Sequence, residues 1–280
     1  MHRRQFLLAS AAVSLNTPAP CAAAAATHTL AGNGVPGYTN DGGKAAEAQI
    51  NNPYGLTTGP DGALYVCETG NHVIRRIDRR TGLITTAVGT GRKGYAGDGG
   101  PAARALCNEP YEVRFDREGN MYWVEMRNHA VRRLGRTTGI VTTIAGTGEA
   151  GFSGDGGPAA KAHLSQPHSI AFDPRGRLLI CDIGNHRVRS VDLDTGVIET
   201  YLGTGAREAT PDGAPIEGTA VNGPRAIVLD PRGNLYLVLR EGNMVFRIDP
   251  RKGVFQHLAG TGEKGYTGDG GPAREARLNG

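Results

Sequence analysis

The chain has 280 residues, 43 of them glycine and 16 proline, and 21% are charged. That length allows one large β domain or two ordinary ones, and the 39% hydrophobic fraction is enough to build a core. The 31 basic residues exceed the 27 acidic ones by only four, too small an excess for a dedicated nucleic-acid surface.

Residues 1–26 differ from the rest. Arg3 and Arg4 precede an apolar stretch from Phe6 to Leu15 and an alanine run from Ala22 to Ala26. This is the pattern of a secretory signal peptide, and its apolar segment is too short to span a bilayer. Arg3-Arg4-Gln5-Phe6-Leu7 resembles a twin-arginine export motif, so a periplasmic or secreted location and bacterial export of a folded protein are expected. Thr17-Pro18-Ala19-Pro20 before Cys21 lacks a lipobox, which argues against lipidation. Without the signal the balance is 29 basic against 27 acidic residues. Three cysteines remain, Cys67, Cys107 and Cys181. Cys67 and Cys181 occupy one repeat position two units apart, so all three read as buried free thiols.

From residue 27 onward the chain repeats every 57 residues. Gly32, Gly89, Gly146, Gly203 and Gly260 keep this step, as do Asp41, Asp98, Asp155, Asp212 and Asp269, and Pro53, Pro110, Pro167 and Pro224. Each unit reads as four short strands. In the first, Tyr54 to Thr58, Leu64 to Cys67, Val73 to Asp78 and Leu83 to Val88 are separated by Pro60-Asp61-Gly62, Gly70-Asn71-His72 and Thr81-Gly82. Aliphatic and β-branched runs punctuated by Gly, Asp and Asn suit strands and tight turns. Four strands per unit make one propeller blade. A glycine-rich linker completes each unit, and Asp98-Gly99-Gly100-Pro101 sets up a short helical turn that packs Ala102, Ala105 and Leu106 between blades. It lacks the Lys-Ser/Thr ending of a phosphate loop.

Leu64-Tyr65-Val66, Asn71-His72, Val73-Ile74-Arg75-Arg76-Ile77-Asp78 and Thr81-Gly82 together resemble the NHL repeat. Asn128-His129 and Asn185-His186 repeat the signature, whereas Arg240-Glu241-Gly242-Asn243 replaces it in the fourth copy. The resemblance implies an all-β fold, a β-propeller of four-stranded antiparallel blades. Complete blades are expected at 53–88, 110–145, 167–202 and 224–259, with partial repeats at 27–52 and 260–280. Relatives usually have about six blades. The sequence is therefore expected to be truncated at its C-terminus, with missing blades, or a partner chain, completing the ring.

His72, His129 and His186 invite a metal reading, and the family includes a zinc-binding lyase. Zinc, however, needs its ligands ~2.0–2.1 Å from one ion, closer than equivalent positions on successive blades can come. A structural role in the turn between the second and third strands is the better reading. The arginines Arg75, Arg76, Arg132 and Arg133 read as solvated blade surface or inter-blade ion pairs.

Positions where the copies disagree are better candidates for a site on a rigid frame. The residue after each landmark proline is Tyr54, Tyr111, His168 or Arg225, and the next position includes Glu112. The second strands end at Glu68, Glu125, Asp182 and Leu239, with Arg240 adjacent. The three acids either cap the following turn or face a ligand. Tyr54, Tyr111, Glu112, His168, Arg225, Glu68, Glu125, Asp182 and Arg240 are the candidate ligand-binding set, for a small polar ligand or a protein.

A binding and interaction module without a cofactor is the leading expectation, because no nucleophile elbow, metal-spaced cluster or phosphate loop is visible. The alternative is a metal-assisted lyase or a lactone or ester hydrolase. It would use a divalent ion such as Zn or Ca in the central channel, held by Glu112, His168 or Glu68 with side chains from missing blades. RNA binding, known for some family members, fits poorly with export and near-neutral charge.

Overall fold

A computed structural model describes residues 27–249 and 251–280. The signal-peptide segment and Cys21 lie outside the described residues. Blade 1 comprises β1 (Pro53–Thr58), β2 (Leu64–Glu68), β3 (Val73–Ile77) and β4 (Ile84–Val88); blade 2 comprises β5 (Pro110–Phe115), β6 (Met121–Glu125), β7 (Ala130–Leu134) and β8 (Val141–Ala145). A two-residue strand, β9 (Gly157–Pro158), precedes blade 3: β10 (Pro167–Phe172), β11 (Leu178–Asp182), β12 (Arg187–Val191) and β13 (Val197–Leu202). Blade 4 comprises β14 (Pro224–Leu229), β15 (Leu235–Leu239), β16 (Met244–Asp249) and β17 (Val254–Ala259). Strands within each blade pair antiparallel in chain order, and β9 adds an outer fifth strand to blade 3. The inner strands β1, β5, β10 and β14 lie side by side, which is the radial arrangement of a propeller.

The core lies between blades, because alternate residues of each strand face opposite neighbours. Cys67 and Ile74 of blade 1 meet Val113 and Trp123 of blade 2. Val124 and Val131 of blade 2 meet Ile170 and Leu178 of blade 3, and Leu179 and Val188 of blade 3 meet Ile227 and Phe246 of blade 4. Cys67, Cys107 and Cys181 are free and buried within this apolar packing, and burial pushes their thiols up. The linker turns are short 3-10 segments at Ala45–Glu47, Ala102–Arg104, Ala159–Lys161 and Ala273–Glu275; Pro101 stands just before its turn in extended conformation, and Ala102 and Ala105 beyond it are buried.

The repeated histidines join one blade to the next. His72, His129 and His186 occupy left-handed backbone at φ 55°, 48° and 50°, a conformation that histidine tolerates better than most residues. There each Nδ1 accepts the backbone N–H of Glu109, Gln166 or Gly223, at 3.2, 3.0 and 3.1 Å, immediately before the next blade's landmark proline. Burial lowers the pKa of all three rings, which favours the neutral form that can accept.

Arg75 and Arg132 depart from the solvated reading, since both are fully buried, as is Arg189. Each binds the carboxylate ending the second strand of its own blade and an aspartate of the preceding linker: Arg75 to Glu68 and Asp41, Arg132 to Glu125 and Asp98, and Arg189 to Asp182 and Asp155. They also donate to linker carbonyls, Arg132 to Ala96 and Leu106 at 3.0 Å and Arg189 to Ser153 at 3.1 Å. A glycine-rich linker has few groups able to satisfy its own carbonyls, so the guanidinium supplies them. Among the described residues, no helix is long and apolar enough to cross a membrane.

Candidate functional site

All four inner strands break register just after their landmark proline, between Pro53 and Leu56, Pro110 and Glu112, Pro167 and Ile170, and Pro224 and Ala226. Tyr54, Tyr111, His168 and Arg225 sit in these irregularities, which re-aim side chains out of the ladder. They converge across three blade boundaries. The rings of Tyr54 and Tyr111 are 4.4 Å apart, and those of Tyr111 and His168 4.5 Å. Arg225 Nη2 donates to Tyr111 Oη at 2.7 Å, joining blade 4 to blade 2 across the arc. The result is a row of phenol, phenol, imidazole and guanidinium along the inner rim. Tyr54 is 42% exposed at one end and His168 only 4% in the middle.

Burial, together with the Tyr54 contact, pushes the Tyr111 phenol up to about 12, against the opposing pull of Arg225. It therefore stays protonated at neutral pH. His168 is shifted down by burial and by the cations Arg225 and Arg240, while its bond to the Gln166 carbonyl opposes the shift. With Nδ1 2.7 Å from that carbonyl, the neutral ring donates from Nδ1 and leaves Nε2 as an acceptor. The row thus offers hydroxyl, acceptor nitrogen and guanidinium to one ligand.

The next position beneath it is structural. A Cβ on Gly55 would come 2.5 Å from the Tyr111 carbonyl oxygen, so glycine is what lets β1 approach β5. Glu112 is buried and ion-paired with Arg114, two residues along the same strand face. Burial raises its pKa, with Arg114 and Ser169 opposing. Ser169 Oγ accepts the Ile227 N–H at 3.1 Å and ties β10 to β14.

Glu68, Glu125 and Asp182 are fully buried, each opposite its blade's landmark proline in the ladder. Glu125 accepts from Asn108 N at 3.2 Å, Trp123 Nε1 at 2.9 Å, Arg132 Nη1 at 3.1 Å and Asn128 Nδ2. Asp182 accepts from Ser165 N at 2.6 Å and Asn185 Nδ2 at 2.7 Å, and Glu68 from Asn51 N and Asn71 Nδ2. The same asparagines donate to Gly37, Gly94 and Gly151 of the linkers. These contacts occupy the carboxylates and hold each second-to-third-strand turn to its linker.

Arg240 lies on the row's face of the protein, paired with Glu241 at 2.8 Å. A cleft between blades 3 and 4 places it with Arg207, His186 and Gln166. Arg207 and Glu241 were not singled out in the sequence; their signal was that both stand where the fourth copy departs from the repeat. Arg207 Nε is 3.0 Å from His186 Nε2. Among the described residues no three His, Cys, Asp or Glu side chains are grouped to hold a metal ion. Of the residues considered for a channel ion, Glu68 is paired with Arg75 and Glu112 with Arg114.

The NHL repeat profile matches residues 164–189, the span that carries Asn185-His186. The chain is similar to suppressor of quenching 1 of Arabidopsis thaliana, with 30% identity over 177 residues that are 61% of this chain and 16% of that protein. It is 27% identical to NHL repeat-containing protein 2 of Gallus gallus over 265 residues, 84% of this chain and 36% of that one. It therefore matches 16% and 36% of the length of these two relatives. Among solved structures, an auxiliary nutrient binding protein from Bacteroides thetaiotaomicron superposes with a TM-score of 0.53 at 18% identity, covering 73% of this chain and 52% of that chain. Repeat signature, blade architecture and relatives agree that the chain is a β-propeller carrying the NHL repeat.

Proposed function

We propose that this propeller is an exported binding module that takes a small polar or anionic ligand, or a matching protein loop, at the inner rim. The reading rests on the convergence of Tyr54, Tyr111, His168 and Arg225 from four blades into one row. The histidine and arginine sit where the other two copies carry tyrosine, so no repeat-wide packing requirement accounts for them. Arg225 supplies positive charge, and the neutral Tyr111 and His168 supply hydrogen-bond groups on aromatic surface.

The experiment is a thermal-shift and calorimetric screen of the folded chain against inorganic phosphate, citrate and sugar acids, with Arg225→Ala and Tyr111→Phe as controls. A saturable response lost on Arg225→Ala and weakened on Tyr111→Phe is expected. Responses unchanged in both variants would place binding elsewhere. The enzymatic reading draws on one observation, the acceptor Nε2 of His168 in a fixed tautomer. Turnover of a lactone or ester panel that His168→Ala removes would establish it.

A further inference from the structure

On the opposite face, blades 1 and 2 carry the same Tyr–Arg pair in different states. In blade 1, Asp61 bridges the pair: Arg76 Nε donates to Asp61 Oδ2 at 2.7 Å, and Tyr65 Oη donates to the same oxygen at 3.2 Å. Asp78 lies 3.9 Å from Arg76 Nη2 as a second carboxylate. Blade 2 repeats the pair 57 residues on as Tyr122 and Arg133, but neither aspartate is kept. Glu118 stands where Asp61 would be, and Gly135 where Asp78 would be. Among the described residues Arg133 makes no ion pair within 4.0 Å, and its Nε is buried without a hydrogen-bond partner. Asp116 lies by the Tyr122 hydroxyl and is engaged by Asn120 N and Nδ2 at 2.8 and 2.7 Å, so Arg133 is the group of the pair left without an acid. Tyr122 and Arg133 line a cleft between blades 2 and 3 together with Phe115, Phe172, Arg117 and Arg175; its acids Asp116, Glu118, Asp173, Asp192 and Asp194 share the lining, Asp173 being paired with Arg177.

A buried donor left unmet is costly, and blade 1 shows which group satisfies it in this setting. We infer that the cleft between blades 2 and 3 is a carboxylate-binding site, in which a ligand carboxylate takes the place beside Tyr122 and Arg133 that Asp61 holds beside Tyr65 and Arg76. The aromatic part of the lining suits a short aliphatic chain attached to that carboxylate. The site is independent of the inner rim and does not rest on the reading given for it.

The test follows the Arg133 Nε–H resonance in the full chain labelled with nitrogen-15 arginine. Succinate and a blocked Ala-Asp-Ala peptide serve as probes, with sodium chloride at equal ionic strength as control. A saturable shift is expected with at least one probe. Succinate alone would assign a free acid, and the peptide alone an acidic side chain of a polypeptide. In calorimetric titration with the same probe, Arg133→Gln should weaken binding by about tenfold or more, the scale of a charge-assisted hydrogen bond. Glu118→Asp, which restores the bridging acid of blade 1, should fold, move the resonance without any probe and abolish the response. Three results would overturn the inference: no saturable shift with either probe, undiminished binding in Glu118→Asp, or a probe-free shift in Glu118→Ala showing that Glu118 already fills the place.

Discussion

Blades 1 to 3 and blade 4 solve one packing problem with opposite chemistry. The position of Glu68, Glu125 and Asp182 is Leu239 in blade 4, that of Arg75, Arg132 and Arg189 is Phe246, and that of Asn71, Asn128 and Asn185 is Gly242. Leu239 and Phe246 are as buried as the ions they replace. The linker before blade 4 changes with them. Thr210 Oγ1 donates to the Ala220 carbonyl at 2.7 Å, and Asp212, without its arginine, keeps the outer-strand bond that Thr143 N makes to Asp98, here from His257 N at 2.8 Å, and adds Arg274. A buried ion network and an apolar plug are thus alternative ways to fix a blade on its linker. Each works only as a complete set, since a buried charge without its partner is strongly destabilising.

The largest effect is therefore expected where the sets are mixed. Phe246→Arg places a guanidinium in the apolar cluster that holds Leu239 and should cost about 3–5 kcal/mol in urea denaturation. Adding Leu239→Glu should recover part of that loss, and a double variant no better than the single one would break the comparison. Next comes burial between blades. Ile170 is inaccessible to solvent, whereas Leu56, at the same repeat position in blade 1, is 59% exposed. Ile170→Ala should cost about 2–5 kcal/mol and Leu56→Ala under about 1, measured by the same denaturation. The smallest effect is in pH. Burial raises the Asp182 carboxyl to about 6, above its ordinary 3.8, so the folded state holds the proton more tightly than the unfolded chain. Its contribution is present at low pH and is lost as pH rises through 6. Between pH 5 and pH 7 the wild type should lose about 1 kcal/mol relative to Asp182→Asn, read from paired denaturation curves.

Much of this was legible in the sequence. Strand order, blade limits and the rim position of Tyr54, Tyr111, His168 and Arg225 follow from one unslipped register, because a unit that recurs must present equivalent residues equivalently. The burial of Arg75 and Arg132 was not legible. Alternation along β3 marks which residues share a face, but the linker that covers that face comes from some 35 residues earlier. The inter-blade bonds of His72, His129 and His186 depend on left-handed turns that composition does not reveal. Glu68, Glu125 and Asp182 read equally as turn caps or ligands until the linker amides around them were placed. The substitution of Arg by Phe246 was visible in the register, yet its meaning required the ion network it replaces.

Repeated residues carry the frame and divergent ones the rim, and two arginines separate the claims. Arg132→Met and Arg225→Met each remove a bonded guanidinium, one from the buried network and one from the row. Side-by-side urea denaturation should show a loss of about 3–5 kcal/mol for Arg132→Met and about 1 kcal/mol or less for Arg225→Met. Equal losses, or a larger one for Arg225→Met, would contradict the account.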